Sequence, residues 1–343
     1  MTNSAQMHAA ILDGAKQPFR YASVERPTPK SGEVLVRIKA SGINPLDLKI
    51  RAGQAAHARH PLPAILGIDL AGTVEGTGPE VTAFREGDEV YGMTGGVGGI
   101  QGSLAEYAAV DVALLARKPS NLAMREAAAL PLIFITAWEG LVDRANVQAG
   151  QKVLVQGGAG GVGHVAVQLA RAFGADVHAT VSERHFDEVA RIGATPIDRA
   201  LPVGEQVKRH AKGEGFDVVY DTVGGKVLDA SFEAVRRFGH VVSILGWGTH
   251  ALAPLSFKAG TYSGVFTLLP LLSGVGREHH GEILTRSAAL VEAGKLSPRL
   301  DPRTFGLADA ESAHAAVASG GAAGKIVVTV VDDADAPGRR SPR

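Results

Sequence analysis

The chain has 343 residues, 43 of them glycine, and carries 35 Lys+Arg against 35 Asp+Glu, so its formal net charge is zero. That length points to about two domains, and balanced charge without a basic run argues against nucleic acid or an anionic membrane surface as the main partner. Cysteine is absent, which removes any disulfide framework or thiolate metal site.

Residues 1–6 are short and polar, with no apolar core of a signal peptide. They are expected to be disordered, with Met7 as a candidate original start. No apolar stretch approaches transmembrane length, so a cytoplasmic protein without a membrane partner is expected. From Met7 the pattern is of strands: Ala9–Leu12, Tyr21–Val24 and, after Pro27 and Pro29, Glu33–Ser41, where apolar and charged residues alternate with period two. Gly67–Gly76, Asp88–Tyr91 and Ser103–Val110 continue a mainly β region that ends near Pro119. Met124–Ala145 is predicted helical, interrupted by Pro131.

Lys152–Gln156 is a valine-rich run of buried-strand length. The turn Gly157-Gly158-Ala159-Gly160-Gly161-Val162-Gly163 follows, then a helix over His164–Phe173 with apolar Val165, Val167 and Leu169. Gly174 ends the helix and Val177–Val181 forms the next strand. Gly158, Gly160 and Gly163 fit the G-x-G-x-x-G fingerprint in the context that makes it specific, between a strand and a helix. Glycine there permits the tight turn, close approach of a pyrophosphate and close helix packing. The free N–H groups of the helix start, including those of Gly161 and Val162, face the phosphates.

Helices at Arg184–Ile192 and Lys226–Arg237 alternate with strands at Phe216–Asp221, His240–Leu245 and Gly264–Leu268. This alternation implies a parallel, doubly wound sheet. Ile283–Ala293 is a further helix. Lys325–Val330 is a strand with no βα partner left, expected to return to the β region. Residues 332–343 are expected to be disordered.

In this order the chain resembles the medium-chain dehydrogenase/reductase superfamily, and within it the zinc-independent quinone oxidoreductase branch that includes zeta-crystallin. The resemblance covers roughly residues 7–330 and rests on Gly32-Glu33-Val34-Leu35-Val36, Gly42-Ile43-Asn44-Pro45-Leu46-Asp47, Gly87-Asp88-Glu89-Val90-Tyr91, Ala127–Pro131, Ile135–Trp138, the glycine turn and Gly324-Lys325-Ile326-Val327. It implies an α/β fold: a GroES-like, mainly β catalytic domain split over 7–125 and 269–331, around a Rossmann nucleotide-binding domain over 126–268. The cofactor is expected between them.

Where zinc alcohol dehydrogenases of the superfamily carry Cys, this chain has Asn44. Where they carry Gly-His-Glu it has Gly67-Ile68-Asp69, and the four-cysteine structural loop is missing. Without that Lewis acid, alcohol oxidation is disfavoured. No metal is expected, and His57, His60, His279 and His280 are read as surface or core residues.

After the second strand come Ser182, Glu183 and Arg184. Glu183 stands near the position of an NAD-type acid, whereas Ser182 and Arg184 suit a 2′-phosphate. Relatives place a Lys near His185 and a Tyr near Arg199 on that phosphate, and Arg199 keeps a donor there. NADPH is therefore the expected cofactor. Thr136 is implied to lie near its nicotinamide end. Val223, Leu245, Gly246 and Phe266 follow strand ends, where cofactor-lining loops belong.

The expected reaction is hydride transfer from NADPH to a small electrophilic acceptor, a quinone or an α,β-unsaturated carbonyl. Asn44 is the first catalytic candidate, Asp47 would orient it, and Lys49, where many relatives carry tyrosine, would donate to a substrate oxygen. A second tyrosine of that loop is replaced by Gln54 and Ala55. Tyr91, Trp138 and Trp247 are candidates to shape the acceptor pocket. The alternatives are a 2-enoyl thioester reductase, a zinc-type alcohol dehydrogenase homologue, or a non-catalytic, crystallin-like NADPH-binding protein. A homodimer is expected, through the edge strand near Gly264.

Overall fold

In the computed structural model, which describes residues 5–331, the chain divides into two compact units. One runs through Leu132 and adds Leu268–Glu292 and the chain from Pro298 onward; the other is Ile133–Thr267 with Ala293–Ser297.

The first unit is built from β1 (Gln6–Leu12), β2 (Phe19–Glu25), β3 (Glu33–Gly42), β4 (Ala64–Ile65), β5 (Asp69–Thr77), β6 (Glu89–Met93), β7 (Tyr107–Asp111) and β8 (Leu115–Arg117). Strands β1, β2 and β4 form a small sheet. In β3 the alternation of Glu33–Ser41 suggested one solvated face, yet most of the strand is buried. It pairs with β5 and β7 and, antiparallel, with a strand from the far end of the chain. Val34, Val36, Ile38, Leu70, Val74 and Val90 make the core of this unit. Each such side chain contributes about 1.5–3 kcal/mol on burial.

The second unit holds β9 (Lys152–Gln156), β10 (Asp176–Val181), β11 (Thr195–Asp198), β12 (Phe216–Asp221), β13 (Val235–Ser243) and β14 (Thr261–Gly264). All pairings are parallel, in the order β11-β10-β9-β12-β13-β14. The strand order reverses between β9 and β12, the switch point where doubly wound sheets place ligands. Finally β15 (Phe305–Gly306) and β16 (Val327–Thr329) belong to the first unit, where β16 pairs with β3, as expected of the closing strand.

Several boundaries differ from the sequence reading. Gln6, expected in a disordered extension, begins β1 opposite Glu25; residues 1–4 and 332–343 lie outside the described residues. Helix α1 spans Pro45–Arg51, α2 Met124–Ala128 and α3 Pro131–Trp138. Residues 126–132 sit with the first unit because α2 packs on β3 and β5 and the Leu132 N–H donates to Asp69 at 2.8 Å. Residues 293–297 join the second unit, where Ser297 bonds His164 and Gln168. The helix expected to reach Arg237 ends at Ala234, because Val235 already enters β13. The last strand lies at Thr261–Gly264 rather than Gly264–Leu268, although the Val265 N–H still bonds the Ser243 carbonyl at 3.0 Å.

Candidate functional site

The glycine turn leaves β9 at the switch point and enters α4 (Gly161–Ala172). Gly157 adopts φ +77°, a conformation glycine takes without strain. Its N–H donates to Thr180 Oγ1 at 3.1 Å, and the Gly158 N–H to the Thr180 carbonyl at 3.1 Å, so β10 holds the turn. The three fingerprint glycines have different reasons. A Cβ on Gly158 would lie 2.5 Å from Ala179 Cβ, and one on Gly163 2.2 Å from the Gly157 carbonyl oxygen. These two serve close packing of helix, turn and strand. A Cβ on Gly160 would meet only the Gly157 oxygen, at 3.3 Å, and Gly160 and Gly161 are exposed. The space over them is open, and the first N–H groups of α4 point out of the helix start with no intrahelical acceptor.

The other expected cofactor residues follow the carboxyl ends of neighbouring strands. Ser182 and exposed Arg184 come after β10, and exposed Arg199, whose N–H bonds the Val181 carbonyl at 3.0 Å, after β11. Val223 is 46% exposed after β12, Leu245 and Gly246 follow β13, and Phe266, 38% exposed, follows β14. A buried carboxylate that sequence reasoning passed over as a strand residue fixes this edge. Asp221 accepts the N–H groups of Val223 and Gly224, both at 3.0 Å, and the Ser243 hydroxyl at 2.7 Å. Ser243 Oγ in turn accepts the Leu245 N–H at 3.1 Å. Thr136 is buried; its hydroxyl accepts from Thr267 at 3.2 Å and its carbonyl from Tyr220 at 2.8 Å.

In the first unit the structure moves the catalytic candidates inside. Pro45 at the first position of α1 and Asp47 two residues on start that helix, Asp47 Oδ2 accepting the Asn44 N–H at 2.8 Å. Asn44, Asp47 and Asp69 have no exposed surface. The Asn44 amide donates to Asp69 Oδ2 at 3.0 Å, and its oxygen accepts from the Lys325 ammonium, which also lies 3.3 Å from Asp69 Oδ2. Asp69 Oδ1 accepts the Leu132 N–H. Thus Asn44 turns both ends of its amide into the protein, and only Lys49 of the three is exposed, on α1. Burial pushes the Asp47 carboxyl up to about 7; the charge of Asp69 adds to this, while the Asn44 N–H and the Lys325 ammonium oppose it. Burial likewise raises Asp69, against the pull of Lys325.

Of the three candidate pocket aromatics only Tyr91 is core: it is fully buried with its hydroxyl on the Leu284 carbonyl at 2.6 Å. Trp138 is partly buried, its ring against Phe134 and Phe173. Trp247 alone is exposed, at 55%, edge-on to Phe266 with ring centroids 6.3 Å apart.

The strand order, the glycine turn at the switch point and the mainly β first unit define an α/β protein of two units with a dinucleotide-binding type of turn. The comparisons agree. Residues 30–120 match the alcohol dehydrogenase GroES-like domain, and residues 186–328 the family described as zinc-binding dehydrogenase. A 2-methylene-furan-3-one reductase of Solanum lycopersicum is 37% identical over 315 residues, 90% of this chain and 74% of that protein. An NADPH-dependent alkenal/one oxidoreductase, chloroplastic, of Arabidopsis thaliana is 35% identical over 309 residues, 88% of this chain and 73% of that protein. The crystal structure of an alcohol dehydrogenase superfamily protein from Novosphingobium aromaticivorans superposes with a TM-score of 0.94 at 60% identity, covering 95% of this chain and all of the other. The chain belongs to the medium-chain dehydrogenase/reductase superfamily and is an oxidoreductase.

The donor set does not fit the zinc of the family's name. Among the described residues no group of three or more His, Cys, Asp or Glu side chains is arranged to hold a metal ion. The oxygens of Asn44 and Asp69 already face a lysine ammonium, which repels a second cation. His60 Nδ1 accepts the Gly99 N–H at 3.2 Å, His279 is paired with Glu282, and His280 is buried. A nicotinamide dinucleotide does fit: the open side of Gly160 and the helix start suit a pyrophosphate.

Proposed function

We propose that this chain is a zinc-independent reductase that uses NADPH to reduce an α,β-unsaturated carbonyl or a quinone. The observation that carries this reading is the Lys325 ammonium on Asn44 and Asp69. The fold retains a dinucleotide cradle, but where a Lewis acid would be sought it has a covalently attached cation. Chemistry without a Lewis acid suits acceptors that are already electron-poor. The names of the two plant relatives, one for a furanone and one for NADPH and alkenals or alkenones, support the same acceptor class and cofactor.

Bound NADPH supplies hydride; the chain's own residues do the rest. The helix start at Gly160, Gly161 and Val162 would receive the pyrophosphate, with Gly158 and Gly163 packing the turn beneath it, and Ser182, Arg184 and Arg199 would hold the 2′-phosphate. Val223, Leu245, Gly246 and Phe266 would line the cofactor at the strand ends, with helical Thr136 behind them on Thr267. With an enone, the hydride would go to the β-carbon, the π electrons to the carbonyl oxygen, and a solvent proton to the α-carbon. Exposed Lys49 is the group proposed to donate towards that oxygen. Asn44 and Asp47, fully internal, act by holding α1. No helix among the described residues is long and apolar enough to cross a membrane. A cytoplasmic homodimer, joined at the edge strand β14, completes the reading.

The test is steady-state oxidation of NADPH by protein dialysed against a strong chelator, with but-3-en-2-one, 1,4-benzoquinone and a crotonyl thioester as acceptors, repeated with NADH. The expected result is turnover with the enone or the quinone, undiminished by chelation and at least about tenfold more efficient with NADPH. Loss of activity on chelation, preference for the thioester, or equal use of NADH would overturn it.

A further inference from the structure

The closing Gly324-Lys325-Ile326-Val327 motif has no part in the phosphate cradle, yet its lysine is held in place by partners on other elements. The backbone around it is fixed on both sides. The Lys325 N–H donates to the Arg299 carbonyl at 2.8 Å, its carbonyl accepts the Asp301 N–H at 3.0 Å, and the next carbonyl accepts the Ile43 N–H at 3.0 Å. A Cβ on Gly324 would lie 2.6 Å from the Arg299 carbonyl oxygen, so the segment runs flush against its neighbour. The Lys325 side chain is 7% exposed and reaches two residues far away in sequence, Asn44 and Asp69.

We propose that Lys325 is a positioning residue for the reductive chemistry: its ammonium, shared between Asn44 and Asp69, locks the Asn44–Asp47 turn, and with it α1 and Lys49, in one conformation. The inference deepens the proposed function and rests on the assignment of the α1 loop to the acceptor. The arrangement has an electrostatic consequence. Asp47 and Asp69 are both fully buried, and a single fixed ammonium stands against them. One proton or one uncompensated charge therefore stays inside the cluster. The charged groups acting on Asp47 are Asp69, from β5, and Lys325, from the closing segment. Losing Lys325 removes an interaction that favours the Asp47 anion, and neutralising Asp69 removes one that opposes it. The two changes must move the Asp47 titration in opposite directions.

The experiment uses the full chain labelled with ¹³Cγ-aspartate, with Asp47 identified by the resonance that Asp47→Asn removes. Expected is a titration near the value of about 7 given by burial, moved up by roughly one unit in Lys325→Met and down by a similar amount in Asp69→Asn. In turnover with NADPH and an enone, the kcat pH profile should follow both shifts, while Kd for NADPH changes less than about twofold. Lys325→Arg, which keeps the charge, should return the inflection to its original place. If Lys325→Met does not fold, Lys325→Arg and Asp69→Asn carry the test. An Asp47 that titrates in the ordinary carboxylate range, or Asp69→Asn and Lys325→Met profiles that superimpose on wild type while kcat falls, would overturn the assignment. If no acceptor turns over, the proposed function fails, and the resonance shifts still decide whether Lys325 sets the cluster.

Discussion

Alanine at Gly160 and alanine at Gly163 separate what the cradle does for the fold from what it does for the ligand. Gly160 has φ −73° and ψ 168°, which alanine adopts freely, and its Cβ would meet one atom, at 3.3 Å. Gly160→Ala should therefore melt within about 0.5 kcal/mol of wild type. The new methyl, however, stands in the space over the helix start. A pyrophosphate pushed off those N–H groups loses one or more charge-assisted hydrogen bonds of about 1.5–3 kcal/mol, so Kd for NADPH should rise roughly 10–100-fold. Gly163→Ala is the opposite case. Its Cβ, 2.2 Å from the Gly157 oxygen, must push helix and turn apart by roughly 1 Å, at a cost of about 1–3 kcal/mol. Tm and affinity should both fall. Thermal melts and titration of NADPH fluorescence read the two quantities separately. The reasoning is refuted if Gly160→Ala binds NADPH as wild type does, because the open side would then not be where phosphate lies.

Replacing Arg184 and Arg199 together by alanine should raise KM for NADPH about 10–100-fold and leave KM for NADH nearly unchanged; parallel losses with both cofactors would remove these arginines from the 2′-phosphate. Gly140→Ala would put a Cβ 2.2 Å from the fully buried Tyr220 ring and should cost about 1–3 kcal/mol in denaturant unfolding, with an unchanged midpoint contradicting the packing described. His314 is buried against Phe19 and its imidazole is pushed down to about 4, chiefly by burial. Its folded pKa lies below the unfolded value of about 6.5, so stability is lost as pH falls through that window, by about 3 kcal/mol in all. His314→Leu should flatten the acid side of the Tm profile, and an identical acid limb would refute the assignment.

The chemistry that lies along the chain was legible in the sequence. Strand, glycine turn and helix are contiguous, so their order could be read directly, although the helix starts at Gly161 rather than His164, and the alternation after them implied the parallel sheet. Legibility failed where function depends on contacts across the chain. Asn44 looks like a free amide in its motif; only the arrival of Asp69 and Lys325 shows both ends of it engaged. Tyr91 was a candidate for the acceptor pocket, whereas its ring is fully buried with the hydroxyl on the Leu284 carbonyl. Strand β11 was missed because it is four residues long and contains Pro196, which suits a sheet edge and little else. Asp221 looked like the end of a strand, and its hold on Val223, Gly224 and Ser243 appears only once β12 and β13 are neighbours.

The most direct test follows the hydride itself. Chelator-treated protein should be supplied with NADPH deuterated at both C4 positions and a simple enone, and the product examined by mass spectrometry and proton NMR. The account predicts a saturated ketone carrying one deuterium at the β-carbon, formed without added metal. Deuterium on the former carbonyl carbon of an alcohol, or transfer only when zinc is restored, would contradict it.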